Sequence, residues 1–303
     1  MNLLISTLSR AVGWRSETLL LVTPWQVLEI FLVSIAAGLV GALFGLGGGI
    51  LIIPFLTLVE GVPLPFAIGA SIVSVVATSS ASAATYVHDH LTNLRLGMLL
   101  EVGTVAGAIT GAYVAGLVPS SILFFLFALM LLYATVLMIS GRKIDIPTNV
   151  IADSLARRFN LGGEYQDTST GTRVMYNVMR IPHTLGISYL AGIVSGLLGV
   201  GGGIIKVPTL NLVSKVPVKV ASATSNFMIG VTAAASASVY FLRGNVEALL
   251  VAPLVLGVVG GASIGTRLLR ITPPMKIKVM FGILLAGISV VMILKAFNVA
   301  TGL

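Results

Sequence analysis

The residues best placed to do chemistry in this chain are two glycine clusters and one lysine. The string GLGGGI stands at Gly45–Ile50, and its near-copy GVGGGI stands at Gly199–Ile204, each inside a long apolar stretch. Such clusters are poor helix formers, because glycine loses the most backbone freedom on ordering. A helix that restarts after such a break presents unpaired N–H groups and the positive end of its dipole. Gly45, Gly47, Gly48 and Gly49, with Gly199, Gly201, Gly202 and Gly203, are therefore the expected core of an anion site formed where two such ends face each other. The competing reading is that they only permit tight helix crossing. Crossing motifs are spaced by four, whereas these glycines are contiguous.

Lys206 lies three positions after Gly203, at the place where the first copy has Ile52. An ionisable residue deep in an apolar segment costs about 2.5–3.5 kcal/mol on insertion scales and marks function by default. A cation close to a helix N-terminus is electrostatically unfavourable unless an anion sits between them. Lys206 is thus expected to be the countercharge of a small anionic substrate; a lysine that snorkels to the interface is the alternative. The next apolar segment of each copy gathers neutral donors: Ser71, Ser74, Thr78, Ser79 and Ser80 in one, and Ser222, Thr224, Ser225, Asn226 and Thr232 in the other. Ser71, Ser225 and Asn226 are the expected hydrogen-bond donors to an oxyanion, although Ser and Thr also make ordinary interhelical contacts. Glu101 reads as a residue near the interface or paired with Arg95, with proton carrying as the minority reading. His88 and His90 flank Asp89, too few ligands for a metal site. No catalytic residue, metal site or cofactor is expected: no Ser–His or paired-acid arrangement falls within the apolar segments, and GLGGGI lacks the third glycine and the βαβ setting of a dinucleotide-binding motif.

These residues need a frame. The 303 residues are 56% hydrophobic and 9% charged, against roughly 25% charged in a soluble domain. Such a chain cannot solvate an ordinary surface, so an all-α polytopic membrane protein is expected, multi-pass in the plasma membrane. The net charge of +8 is loop charge that orients it, and nucleic acid is not an expected partner. The expected partners are a small anion and the lipid bilayer; a homodimer is left open. With no cysteine, disulfides and thiolate metal sites are excluded.

The frame is a repeat. Between Ala37–Pro54 and Ala191–Pro208, 10 of 18 aligned positions are identical. The same 154-residue offset pairs Val62-Pro63 with Val216-Pro217, Ser71 with Ser225, Tyr86 with Tyr240, and Gly103, Gly107 and Gly111 with Gly257, Gly261 and Gly265. The expected organisation is an N-terminal amphipathic segment (1–24), a first membrane repeat (25–140), a linker (141–182) and a second membrane repeat (183–303). Residues 1–24 lack the order of regions of a signal peptide. Each repeat has a Gly-broken first region, read as a re-entrant hairpin or two shortened helices, then three spans of about 20 apolar residues. Gly103-x3-Gly107-x3-Gly111 and its copy read as helix-packing stripes. In the linker, Asp153 is the expected N-cap of a short helix, and Glu164–Val178 reads as a hairpin around Ser169-Thr170-Gly171.

Charge decides between parallel and inverted halves. If each broken region returns the chain to its starting side, Arg95, the linker cations, Lys215, Lys219, Arg267, Arg270, Lys276 and Lys278 share one side, opposite Arg10, Arg15, Arg243 and Lys295. That asymmetry fits the positive-inside rule far better than parallel halves do. Inverted repeats are therefore expected, with both termini outside and the linker in the cytosol.

The paired glycine clusters, the proline after each, and the ASATSNF run at Ala221–Phe227 resemble the TauE/SafE sulfite-exporter family across about 25–297. The resemblance implies a permease for sulfite, organosulfonates such as sulfoacetate, or related sulfur anions, usually acting outward. It carries to Gly45–Gly49 and Gly199–Gly203 as core motifs. Half one lacks the lysine of half two, so its share of the site must be neutral.

Overall fold

A computed structural model of the protein describes residues 23–139, 153–166, 173–271 and 285–297. The expected amphipathic segment at 1–24 and the tip of the linker hairpin lie outside the described residues, apart from Thr23 and Pro24. The chain is mostly helical, and six described helices are long and apolar enough to cross a membrane.

Helix α1 (Pro24–Phe44) starts with proline at its first position and a capping box, in which Thr23 Oγ1 accepts from Gln26 N–H and Gln26 Oε1 accepts from Thr23 N–H. It stops at Gly45, whose left-handed φ of 69° lets its N–H cap the Gly41 carbonyl. Gly47 and Gly48 follow at φ 80° and 76°, a region costly for any residue with a Cβ. The chain then folds back as α2 (Gly49–Val59). A Cβ on Gly41 would lie 2.4 Å from Gly48 N, and one on Gly48 would lie 3.0 Å from the Ala37 carbonyl oxygen. At its far end α2 brings Glu60 against Gln26 and Glu29, beside the start of α1.

The second copy repeats the turn. Helix α7 (Ile181–Leu198) ends at Gly199, and α8 (Gly203–Val213) folds back along it. Ser214 reaches the start of α7, its Oγ 2.6 Å from Thr184 Oγ1 and its carbonyl accepting from Met179 N–H at 3.2 Å. Each broken region is therefore a re-entrant hairpin, one of the two forms the sequence left open. The prolines act less severely than a helix breaker would. Pro54 and Pro208 end the α-helical turns, and five residues of π-helix follow each. Proline removes an N–H and crowds the carbonyl four residues back; the wider turn relieves this, and Thr57 and Thr209 hydroxyls donate to the carbonyls of Ile53 and Ile205.

Three longer helices complete the first copy: α3 (Leu64–His88), α4 (Leu94–Ala115) and α5 (Ser120–Ile139). A short helix α6 (Ser154–Arg158) and a two-stranded antiparallel sheet, β1 (Gly163–Gln166) with β2 (Arg173–Tyr176), stand between the copies. Asp153 caps α6 by accepting from Ala156 N–H at 2.7 Å, and its second oxygen accepts from Ile181 N–H, the first residue of α7. Asn93 ties this subdomain to the bundle: its Nδ2 donates to the Leu161 carbonyl and Tyr176 hydroxyl, and its N–H donates to Thr224 Oγ1. Helices α9 (Val218–Leu242), α10 (Ala248–Ile271) and α11 (Leu285–Phe297) complete the second copy.

The copies interlock. Helix α1 packs most extensively on α10 of the other copy, and α7 on α4. The glycine stripes lie in these seams: Gly103, Gly107 and Gly111 face the carbonyls of Leu185, Tyr189 and Ile193, while Gly257, Gly261 and Gly265 face those of Phe31, Ile35 and Leu39. Helices α3 and α9 cross at the centre. Each holds its own copy's first helix through a tyrosine, Tyr86 donating to the Ala42 carbonyl at 3.1 Å and Tyr240 to that of Gly196 at 2.9 Å.

The seam gives a sharp contrast between neighbours. A Cβ on Gly261 would lie 1.9 Å from the Ile35 carbonyl oxygen, whereas one on Gly260 meets nothing within 4 Å. G261A should therefore destabilise by roughly 1–3 kcal/mol through overpacking, and G260A should be neutral or stabilise by about 0.5–1 kcal/mol through helix propensity. Thermal melts of the two variants in detergent check the difference.

Candidate functional site

The two glycine hinges meet each other in the interior. A Cβ on Gly203 would lie 1.9 Å from the Gly45 carbonyl oxygen, and one on Gly49 would lie 2.6 Å from that of Gly199. Each hinge thus covers backbone of the other, and all ten residues of the two strings at 45–49 and 199–203 are buried. The repeat-related pair Val75 and Ile229 fills the remaining space, within 2.9 and 3.2 Å of the Cβ position on Gly47 and 3.0 and 2.5 Å of that on Gly201. The hinges are closed in this conformation, and an anion between them requires that pair to move.

The donors are unequal. Ser71 Oγ is satisfied, donating to the Gly199 carbonyl at 2.9 Å. Its counterpart Ser225 is fully buried, and its Oγ has no partner. Ser222 Oγ is also buried and unpartnered, 3.0 Å from the Cβ position on Gly45. Asn226 sends its Nδ2 toward the Ala42 carbonyl at 3.4 Å and leaves Oδ1 buried without a partner, while its own carbonyl accepts from Ser79 Oγ. Buried polar atoms left bare cost about 1–3 kcal/mol each. Three lie on one helix, within five residues of one another, and that of Ser222 stands next to the hinge.

Lys206 is 2% exposed and does not snorkel. Its Nζ donates to Thr232 Oγ1 at 2.6 Å and stands 3.9 Å from Glu101 Oε2. Thr232 Oγ1 lies 2.6 Å from Glu101 Oε1 and 2.8 Å from the Met228 carbonyl oxygen, and Thr104 Oγ1 donates to Glu101 Oε2. The expectation that Glu101 sits near the interface or pairs with Arg95 is therefore corrected. Glu101 is 6% exposed and faces Lys206, while Arg95 donates to the Asn160 carbonyl. The reason is helical geometry: Arg95 and Glu101 are six positions apart on α4, which puts them on different faces of the helix. Thr232 was visible in sequence only as one of a polar cluster, and no sequence signal joins it to Glu101. The link is made by α4 packing on α9 and by α8 folding back along α7.

The sequence model of the sulfite exporter TauE/SafE family matches residues 30–292, from α1 through α11. The chain belongs to the sulfite exporter TauE/SafE family. Similar proteins agree with this placement. A probable membrane transporter protein of Bacillus subtilis, YunE, is 30% identical over 80% of this chain and 88% of its own length. A second from the same organism, YdhB, is 25% identical over 83% and 92%. Sulfite exporter TauE/SafE family protein 6 of Arabidopsis thaliana is 35% identical over 31% of this chain and 22% of its own length. No solved structure matches the chain. As a TauE/SafE protein with six spanning-length helices, it is a multi-pass membrane protein of a transporter family.

The Lys206–Glu101 geometry predicts an uneven response to mutation. K206M leaves the Glu101 charge buried without its partner, and such a broken pair costs about 3–5 kcal/mol. The double variant K206M/E101Q removes both charges and should recover most of that loss. Unfolding midpoints of purified wild type, single and double variants check this; a double variant no more stable than K206M would refute a stabilising pair.

Proposed function

We propose that the protein is a secondary carrier that exports small sulfur-containing anions, sulfite or organosulfonates such as sulfoacetate, by alternating access around the paired glycine hinges. The observation that carries this reading is the pair of buried, unpartnered hydroxyls of Ser222 and Ser225 on α9, that of Ser222 beside Gly45. A sulfonate or sulfite offers several negatively charged acceptor oxygens. Ser hydroxyls, the Asn226 amide and the leading N–H groups of α2 and α8 can each donate to one of them, at helix ends whose dipoles favour an anion. Lys206, three residues into α8, supplies positive charge. Gly45, Gly47, Gly48, Gly49, Gly199, Gly201, Gly202, Gly203, Lys206, Ser71, Ser225 and Asn226 form the proposed substrate site.

The proposal includes inverted halves. The glycine seams support it: residue numbers rise together along α4 and α7 and along α1 and α10. A third span that parallels the first helix of the other copy fits two copies that enter from opposite sides. The end contacts agree. Gly69 faces Asn245, and Arg243 donates to the carbonyls of Ala112 and Tyr113 at one end, while Asn93 meets Thr224 at the other. The end bearing Arg95, the linker and Lys215 is the more basic, so it is assigned to the cytosol, with both termini outside. An inside-negative potential then drives each exported negative charge by about 2.3 kcal/mol per 100 mV.

A carrier is favoured over an anion channel using the same residues, because the hinges are buried and plugged by Val75 and Ile229. Purified protein should be stabilised by one or more of sulfite, thiosulfate, taurine, sulfoacetate and sulfolactate. Saturating ligand at about 100 times Kd adds roughly 2.7 kcal/mol. The same anion should show saturable counterflow in proteoliposomes, weakened by S222A/S225A. Flux that fails to saturate, with single-channel currents, would replace the carrier with a channel.

A further inference from the structure

Glu101 is the one buried carboxylate in the described spans, and the anion site has no use for it. An anion approaching Lys206 meets a carboxylate already there. If both stayed ionised, two negative charges would share one lysine inside the membrane, and an unpaired buried charge is among the most costly arrangements a protein can hold. The substrate must therefore be excluded, or Glu101 must lose its charge.

The surroundings of Glu101 suit the second outcome. Its two oxygens are met by hydroxyls, from Thr232 and Thr104, and by no backbone N–H. A hydroxyl can donate or accept, whereas an N–H only donates. Each threonine also has a second acceptor within reach, Thr232 the Met228 carbonyl at 2.8 Å and Thr104 the Glu101 carbonyl at 3.2 Å. Either hydroxyl can turn to its carbonyl and accept from a protonated Glu101, so both protonation states can be fully hydrogen-bonded. Lys206, bound through Thr232 to Glu101, is then free to pair with the substrate. Helix α8 brings Lys206 at 3.9 Å. On α7, His183 is an exposed residue of the first turn; on α9, Lys219 and Arg243 stand at opposite ends, Arg243 engaged with carbonyls of α4. Among the described residues Lys206 is the only charged side chain in ion-pair contact with Glu101. At the 154-residue offset Lys206 and Thr232 correspond to Ile52 and Thr78 of the first copy, and Glu101 corresponds to Val255 of the second, so the exchange is confined to one side of the site.

We infer that Glu101 is a proton-binding site, loaded when an anion takes its place beside Lys206, so that one proton travels with each anion. This rests on the carrier reading above. In the empty carrier Glu101 is ionised and neutralises Lys206. In the loaded carrier the proton is on a Glu101 oxygen and the anion neutralises Lys206. No covalent bond other than that O–H forms or breaks. A doubly charged sulfoacetate accompanied by one proton still carries one net negative charge, so the membrane potential continues to drive its export.

The test uses wild-type protein in liposomes containing a pH dye, with the potential clamped at zero by potassium and valinomycin. Sulfoacetate added outside at acid pH should enter with acidification of the lumen. A gradient of one pH unit should give up to about tenfold accumulation. E101D, which keeps the carboxylate, should retain the response, and E101Q should lose both accumulation and acidification. Sulfoacetate counterflow in wild type with no change in lumenal pH and no effect of the gradient would overturn the inference, as would E101Q that still accumulates sulfoacetate against a gradient. Absence of counterflow in wild type at any pH with sulfoacetate and with each of the other four sulfur anions is a different failure: it removes the carrier reading itself and the inference with it.

Discussion

Backbone N–H and C=O groups inside a bilayer must be satisfied or covered by protein, and this fold is organised around two places where the helix ladder is interrupted at depth. The interruptions are placed against one another. The Gly45 carbonyl lies over Gly203 and the Gly199 carbonyl over Gly49, at distances that leave no room for a side chain. That contact needs glycine on both sides, which is why the clusters occur twice and why they are nearly identical. It also requires the two re-entrant hairpins to be brought together, and the swapped seams, α1 on α10 and α4 on α7, do so. The glycine stripes in those seams serve the same end, because only close backbone approach there lets α3 and α9 cross at the hinges. A single closure at the centre thus sets the residue choice in six of the longer helices.

On this nearly symmetric frame the chemistry is one-sided. Ser71 is satisfied by the opposite hinge, while Ser225 is left bare; Ile52 lies where the other copy has Lys206. In a strictly symmetric site both hinges would carry the same charge, and two buried lysines would repel one another across a short distance in a medium of low dielectric. One lysine paired with one glutamate from the other copy avoids that. It also ties α8 and α9 of the second half to α4 of the first, so the ion pair bridges the two halves.

Sequence made much of this legible, for reasons that can be named. The two hinges, the seams and the three spans after each hinge are dictated by local composition: glycine at tight approaches, apolar runs of spanning length, and a proline that narrows the choice of helix geometry. Sequence leaves two forms of the turn open, because a run of glycines marks a break without giving the direction in which the chain leaves it. The direction is set by contacts such as Gly48 on Ala37 and Ser214 on Thr184, which depend on tertiary packing. Glu101 was misplaced for a related reason. Its nearest cation in sequence is Arg95, but six positions on a helix turn the two side chains apart, and the true partner lies 105 residues away on another element. Ser222 carries no mark in sequence that distinguishes it from its neighbours; its place 3.0 Å from the Cβ position on Gly45 depends on tertiary packing.

The same closure bears on the alternating access proposed above. Val75 and Ile229 are repeat equivalents, one from each central helix, and they meet where the hinges meet. Moving either central helix shifts one plug residue against both hinges, since each is within van der Waals reach of Gly47 and Gly201 alike. On that proposal, opening on one side calls for α3 and α9 to slide rather than for a helix to unwind, while Tyr86 and Tyr240 keep each of them attached to the first helix of its own copy. The lysine–glutamate bridge lies on the same two-halves boundary, so the step that separates the plug also strains the pair. A buried pair can be separated only if each charge finds another partner. In the proposed carrier a substrate anion is the replacement partner of Lys206, which would couple movement of the halves to occupancy of the site.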